Sequence, residues 1–272
     1  MQIDSPQHQD FSGSPLAILL QVVKRTEKQT GTTWAFTARQ FAFGGATFVN
    51  RVIYIDGGYA DELFDLNLKV AHDRRYDPAS LTAGSIVEFI ITSGILVSGS
   101  TTSTYALTNP NTWPSGVFVR LVIESGAVVS GIAGNGAGYS ITPPFTYDAT
   151  NGGDAVLIQS AITINNGGII GGGGGGGGRG DGGGGGGAPY GIAGDNLLNL
   201  GTPATDGGLT TGGTGGVYIP GQYGGDGGDL GQNGATGVSP FGFTAGGTAG
   251  DAIHGQSFIV WENMGTIYGA TS

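Results

Sequence analysis

The chain has 272 residues, of which 58 are glycine and none is cysteine, and its formal net charge is −10. Charged residues make up only 11%, against about 25% in ordinary globular chains, and this acidic balance excludes nucleic acid, because phosphate binding needs clustered cations. Without cysteine there is no disulfide framework and no thiolate metal site, and no apolar run approaches the roughly 18 residues of a membrane span.

In chain order, the start carries Asp4 and Asp10 and no early basic residue, which is not the pattern of a signal peptide. A chain of this kind acting outside cells is expected to leave by lysis or a dedicated secretion system. Ser14-Pro15 followed by Leu16, Ile18, Leu19, Leu20, Val22 and Val23 has the cap and proline of a helix start. Its β-branched content fits a strand equally, so 14–28 stays open between the two. Trp34 to Ala38 and Phe48 to Ile55 read as strands, the second closed by Asp56-Gly57-Gly58. Residues 59–80 carry Asp61, Glu62, Asp65, Asp73, Arg74, Arg75 and Asp77, the composition of a solvated loop or linker.

A nine-position repeat follows. Ile91-Thr-Ser-Gly-Ile-Leu-Val-Ser-Gly99 matches Ile123-Glu-Ser-Gly-Ala-Val-Val-Ser-Gly131, and Ile164 to Gly172 fits the same frame; Trp261 to Gly269 fits it more loosely. Each unit is an apolar stretch, a Ser/Asn-Gly corner, an apolar pair and a glycine. This is the grammar of a strand turning a tight corner so that units stack. The spacings of 32, 41 and 97 residues are unequal, and the longest gap holds most of the glycine.

Residues 131–255 contain 45 of the 58 glycines. Gly171 to Gly178 is an unbroken run, Arg179-Gly180-Asp181 interrupts, and Gly182 to Gly187 continues. Gly225, Gly228, Gly231, Gly234 and Gly237 keep a three-residue period. Glycine cannot hold an isolated helix or strand, because ordering it costs the most entropy and no side chain is buried. An extended three-residue-per-turn helix has no internal hydrogen bonds, so each N–H and C=O must pair with a neighbouring run. The expectation is an intramolecular bundle of polyglycine-II helices. Between the runs lie Tyr139 to Tyr147, Ala188 to Ile192 with Leu197 to Leu200, Val217 to Tyr223, and Val238 to Thr244, each rich in aromatics with proline and glycine. Such loops on a featureless scaffold suit rigid presentation of a recognition surface; the plainer reading makes them small caps on the bundle.

Catalytic patterns are absent from the sequence. His8, His72 and His254 have no metal-ligand spacing. There is no Gly-x-Ser-x-Gly elbow and no Gly-Lys-[Ser/Thr] after the glycines. Asp61-Glu62 is adjacent in sequence and cannot form facing carboxylates by itself. Arg179-Gly-Asp181 spells an integrin-type tripeptide but is better read as the turn between two glycine runs. Gly224-Gly-Asp-Gly-Gly-Asp229 partly matches a calcium nonapeptide repeat, and one imperfect copy leaves calcium at Asp226 and Asp229 undecided. No catalytic residue, metal or cofactor is therefore expected.

Ile162 to Ile170 running straight into Gly171–Gly178 resembles the glycine-rich receptor-binding domains of tailed-phage tail tips and tail fibres, including the adhesins of T-even long tail fibres. The resemblance covers roughly residues 120–272, and residues 1–90 do not resemble the attachment domain of those adhesins. It implies a sandwich of polyglycine helices whose variable end segments contact a bacterial surface receptor: an outer-membrane protein, a pilus or lipopolysaccharide. It also implies attachment to other tail proteins through the first region, a place in the virion tail with release at host lysis, and it admits a homotrimer.

The expected fold is mostly β with irregular structure and few or no α-helices. Residues 1–80 are expected to attach or oligomerise, 81–130 to form a β-rich connection, and 131–272 to form the receptor-binding domain, closed by a C-terminal strand. Expected receptor contacts are Tyr139, Phe145, Tyr147, Tyr190, Tyr218, Tyr223, Phe241 and Phe243. The alternatives are a purely structural tail cap and, behind it, a surface polysaccharide depolymerase.

Overall fold

Successive side chains of a strand point to opposite faces, so one face of it can be buried and the other exposed. A computed structural model describes residues 41–43, 46–48, 50–58, 60, 63–140, 146–240 and 242–272. The expectations for 14–28 and Trp34 to Ala38, and for His8, Asp61, Glu62, Phe145 and Phe241, lie outside these residues. Strands β1 (Phe41–Phe43) and β2 (Ala46–Phe48) pair as an antiparallel hairpin. Strand β3 (Asn50–Ile55) buries Arg51, Ile53 and Ile55 and turns the alternate side chains outward.

The expected solvated loop over 59–80 is overturned in its second half. Strand β4 (Leu66–Asn67) leads directly into helix α1 (Leu68–Asp73). The Asn67 side chain caps that helix by accepting from the Val70 N–H at 3.1 Å. Leu66, Leu68, Ala71 and His72 are buried. The charge-dense composition hid an amphipathic turn whose buried residues Leu68, Ala71 and His72 fall on one helical face.

From there the chain winds through parallel strands on three sides. One coil is β5 (Ile86–Ile91), β6 (Leu96–Ser98) and β7 (Leu107–Asn109); the next begins with β8 (Phe118–Ile123) and β9 (Val128–Ser130). After Ser130 a first excursion carries the hairpin β10 (Gly138–Tyr139) and β11 (Thr146–Tyr147). The chain returns as β12 (Val156–Ile158), β13 (Ile162–Asn166) and β14 (Ile169–Gly171). A second, longer excursion carries the hairpin β15 (Val217–Ile219) and β16 (Gln222–Tyr223). The last coil is β17 (Ile253–His254), β18 (Ile259–Asn263) and β19 (Thr266–Tyr268).

The strands assemble into three parallel sheets, ordered β18-β13-β8-β5-β3, β19-β14-β9-β6 and β17-β12-β7-β4. Equivalent residues stack from coil to coil. Ile53, Phe89, Leu121, Ile164 and Trp261 form one inward row; Val97, Val129, Ile170 and Ile267 form a second; Leu66, Leu107, Val156 and Ile253 form a third. These rows are the hydrophobic core of a three-sided β-helix.

The nine-position repeat is the corner between the first and second sheets. Its frame holds through the second sheet, where Val128 pairs with Ile169 and Ile169 with Thr266. On the first sheet Ile123 pairs with Asn166 rather than Ile164, because the corner after β13 is two residues shorter than the one after β8. Buried Asn166 then fills the corner, donating from Nδ2 to the carbonyls of Met264 and Thr266 and accepting the Gly168 N–H on Oδ1.

The expected divisions fall differently on this architecture. Strands β3 and β5 pair along six residues across the 80/81 boundary. The C-terminal segment contributes a strand to each of the three sheets, so it completes the β-helix. The glycine block consists of the two excursions, 131–155 and 172–252, which both leave after a strand of the second sheet and return to one of the third.

Within the block, hydrogen bonds follow a period of three. Gly173 and Gly176 donate to Gly153 and Thr150, Gly174 and Gly177 to Ala188 and Gly185, and Gly175 and Gly178 to Gln232 and Ala235. The same run accepts from three more directions: from Gly131, Gly134 and Ala137, from Gly225, Gly228 and Gly231, and from Gly247 and Gly250. The run 171–178 is thus enclosed by neighbours, and so is 182–187, whose Gly184 and Gly187 donate to Ala137 and Gly134 and whose Gly185 donates to Gly225.

Enclosure explains the composition. A Cβ on any residue from Gly172 to Gly178 would lie 1.8–2.1 Å from a neighbouring carbonyl oxygen, and one on Gly182 to Gly187 would lie 1.8–2.2 Å away. Inner runs are therefore glycine throughout. The outer run keeps glycine where it faces inward, at Gly225, Gly228 and Gly234, while Asp226, Asp229, Gln232, Asn233, Ala235 and Thr236 are exposed.

At the flanks, side-chain oxygens stand in for a missing neighbour. Asp226 Oδ1 accepts the Gly215 N–H, Asp229 Oδ1 that of Gly212, Asn233 Oδ1 that of Ala249 and Asn151 Oδ1 that of Thr248, at 2.8–2.9 Å. Asp226 and Asp229 thus each commit an oxygen to closing the edge of the block. A small core of Val128, Ala188 and Leu230, flanked by Leu96, Ile169 and Leu209, joins the block to the second sheet.

Candidate receptor-binding surface

The two inner runs are antiparallel, and the turn between them is Arg179-Gly180-Asp181. Four loops are fixed to that turn or to one another. Tyr139, from the β10–β11 hairpin, donates its hydroxyl to the Gly180 carbonyl at 2.8 Å. It accepts from Arg179 Nη1 at 3.3 Å, and the guanidinium carbon lies 5.2 Å from its ring centroid, an additional cation–π attraction. Thr244 accepts the Arg179 N–H on its hydroxyl and returns its own N–H to the Arg179 carbonyl, both at 2.9 Å.

Asp181 is buried. Its carboxylate accepts from the Ser239 hydroxyl at 2.8 Å, and its carbonyl accepts the Leu197 N–H at 3.0 Å. The integrin-type tripeptide is therefore the turn between two runs, with its acid engaged inside the protein. Outward from the turn, Tyr147 Oη accepts the Asp195 N–H at 3.1 Å. Tyr223 and Val238 exchange backbone hydrogen bonds of 3.0 and 2.7 Å, and Thr202 and Val217 exchange bonds of 2.8 and 2.9 Å. Residues 138–140, 146–147, 195–202, 217–223, 238–240 and 242–244 thereby form one connected set at the end of the block where the inner runs reverse.

This end exposes apolar side chains on rigidly held backbone. Leu198 is 72% exposed and Phe243 63%; Tyr147, Leu200, Val217, Ile219, Tyr223 and Val238 are exposed beside them. Leu198 sits at φ 54°, a left-handed conformation uncommon for a large side chain. The Asn196 carboxamide braces that segment, donating to the carbonyls of Leu200 and Thr202 and accepting the Gly183 N–H, each at 2.8 Å.

Of the expected contact residues, Tyr139, Tyr147, Tyr218, Tyr223 and Phe243 belong to this set, with Tyr139 and Tyr218 half-buried. Tyr190 does not. It follows Ala188 at the opposite end of the run 182–187, where its N–H donates to the Gly208 carbonyl at 3.0 Å, and it is exposed. The expected contacts were all aromatic, whereas the exposed side chains of this set include the aliphatic Leu198, Leu200, Val217, Ile219 and Val238, large apolar residues placed next to the glycine and proline of loops.

The sequence profile of the family "Phage tail fibre adhesin Gp38" matches residues 53–272. The chain belongs to this family. Membership places it in the tail of a phage virion. The match begins at residue 53, inside β3, and so extends well before the residues 120–272 over which the resemblance was expected. Among solved structures, the gp37–gp38 adhesin tip complex of the bacteriophage S16 long tail fibre contains a chain similar to this one. Identity is 26% and the TM-score 0.58, over 83% of this chain and 84% of that one.

Proposed function

We propose that this adhesin recognises a receptor on the bacterial surface through the loops gathered around the Arg179–Asp181 turn. The observation that carries the reading is the set of exposed apolar side chains held there by hydrogen bonds to the reversal of two enclosed glycine runs. Exposed apolar groups on pre-ordered backbone lose little entropy on binding, and contiguous apolar patches mark interaction sites. In this reading the block is a bundle of polyglycine helices, supported by the three-residue hydrogen-bond period, and it serves as a spacer and platform. The partner is an outer-membrane protein, a pilus or lipopolysaccharide. The β-helix end joins the chain to other tail proteins, as the S16 complex of gp37 with gp38 suggests by analogy. The action is binding without catalysis.

The test is adsorption of the labelled full chain to intact cells of a strain panel, before and after protease treatment of the cells. Saturable binding to some strains, lost when Gly-Ser linkers replace 217–223 and 238–244, is the expected result. Protease sensitivity would assign a protein receptor and resistance a glycan. Binding to no strain, or binding unchanged by both replacements, would leave the structural cap as the better account.

A further inference from the structure

Two carboxylates and an imidazole meet where both glycine excursions rejoin the β-helix. Asp154 lies two residues before β12, at the end of the first excursion, and Asp251 lies two residues before β17, at the end of the second. Strand pairing sets Val156 beside Ile253 and Leu157 beside His254, so the two aspartates occupy equivalent positions on neighbouring strands. His254 Nε2 lies 3.2 Å from Asp154 Oδ2 and 3.4 Å from Asp251 Oδ2. All three candidate ligand atoms fall within 4.8 Å of one another.

These spacings match an ion's coordination shell. A tetrahedral zinc with bonds of about 2.0–2.2 Å holds its ligand atoms roughly 3.3 Å apart. The surrounding contacts orient the ligands in the manner of an outer shell. Asp154 uses its other oxygen to accept the Asp251 N–H at 2.8 Å. The Ser272 hydroxyl lies 3.0 Å from His254 Nδ1, and the Tyr105 ring meets the imidazole edge-on at 5.6 Å. The backbones are pinned as well, with Ala155 N–H donating to Asp251 at 2.9 Å and Gly255 N–H to Ser272 at 2.7 Å.

We propose that Asp154, Asp251 and His254 form a binding site for a divalent first-row cation, zinc by its spacing, with three protein ligands and one position open to water. Nitrogen and carboxylate donors together favour zinc or a neighbouring transition ion over calcium or magnesium, which take oxygen. All three ligands are half-buried, which leaves the fourth position to solvent. The bound ion would join the ends of the two excursions to each other, and so hold the glycine block on the β-helix at both of its return points.

The experiment titrates Zn²⁺ into the EDTA-stripped full chain by calorimetry, with Co²⁺ as a spectroscopic substitute and Ca²⁺ as control. One zinc per chain, visible bands of a tetrahedral cobalt site, and a higher unfolding temperature with zinc are expected. His254→Gln and Asp154→Asn should each abolish all three signals while circular dichroism stays unchanged, and Ser272→Ala should weaken zinc binding about tenfold. Absence of stoichiometric zinc binding in the unaltered chain would overturn the site and leave an ion pair between histidine and carboxylates. Equal binding in His254→Gln and Asp154→Asn would overturn it too, since the ion would then sit elsewhere.

Discussion

The Tyr139 hydroxyl donates to the Gly180 carbonyl at 2.8 Å, tying a loop of the first excursion to the first turn of the second. Tyr139→Phe removes that bond and the acceptor for Arg179 while keeping the ring. The expected cost is about 0.5–1.5 kcal/mol, seen as a lower unfolding temperature with unchanged circular dichroism. If the loops around the turn are the binding surface, adsorption to cells weakens as well.

Gly176 is enclosed on every side, and a Cβ there would lie 1.8 Å from the Asn135 carbonyl oxygen. Gly176→Ala is expected to cost roughly 4 kcal/mol or more, the range reached when a core has no room to adjust. Thr236→Ala, exposed on the outer run, should change stability by about 0.5 kcal/mol or less. Limited proteolysis with denaturant unfolding checks both, and equal stability of the two variants would contradict enclosure.

The φ of 54° at Leu198 gives a way to separate binding from folding. Asparagine tolerates the left-handed region better than leucine, so Leu198→Asn should leave stability unchanged or slightly improved. If the proposed surface binds the receptor, loss of the Leu198 side chain should weaken adsorption about tenfold, corresponding to roughly 1.4 kcal/mol. Phe243→Ser should act alike. A stable Leu198→Asn protein that adsorbs normally would remove Leu198 from the surface.

Stability should fall on mild acidification because of His72. Burial lowers its pKa; the hydrogen bond to Asp73 opposes this, while the charges of Arg51 and Lys69 add to the lowering. The Arg51 guanidinium lies 2.5 Å from Nε2 and Asp73 2.8 Å from Nδ1, and the Tyr76 and Trp113 rings pack against the imidazole. With the folded pKa below the unfolded value of about 6.5, the unfolded chain takes up the proton first. The stabilisation is therefore full above the unfolded pKa and is lost as pH falls from there through the folded value. Unfolding temperatures measured from pH 7.5 to 5 at constant ionic strength should decline, and His72→Gln should flatten that decline. The lowered pKa values of Asp65 and Asp73 act in a separate window, below about pH 4.

Much of this architecture was legible in the residues, and the exceptions have physical causes. The nine-position frame marked four corners because parallel coils stack like on like, so Val97, Val129 and Ile170 had to look alike. The glycine runs signalled enclosure because a Cβ has no space there. Helix α1 was obscured because its apolar face is only Leu68, Ala71 and His72, set among charges. The two-residue difference at the Asn166 corner left no trace, since a side-chain amide can replace the backbone of a longer turn. His254 had only Asp251 beside it in sequence because Asp154 is 100 residues away, and only the pairing of β12 with β17 brings Asp154 to them. Counting aromatics grouped Tyr139, Tyr147 and Phe243, which lie at the reversal end, with Tyr190, which lies at the other, because composition does not say at which end of a run a loop emerges.

The three-residue alternation of partners in the inner runs restricts how such a protein can change over generations. Inserting or deleting one or two residues between Gly172 and Gly178 would turn every later N–H toward the wrong neighbour, whereas a change of three would shift the run by one hydrogen-bond period and restore each direction of pairing. Length variation in the runs is thereby confined to triplets, while the loops at the reversal end carry no such phase. Those loops are therefore free to diversify, in length as well as sequence, while the number of glycines beneath them is held in step.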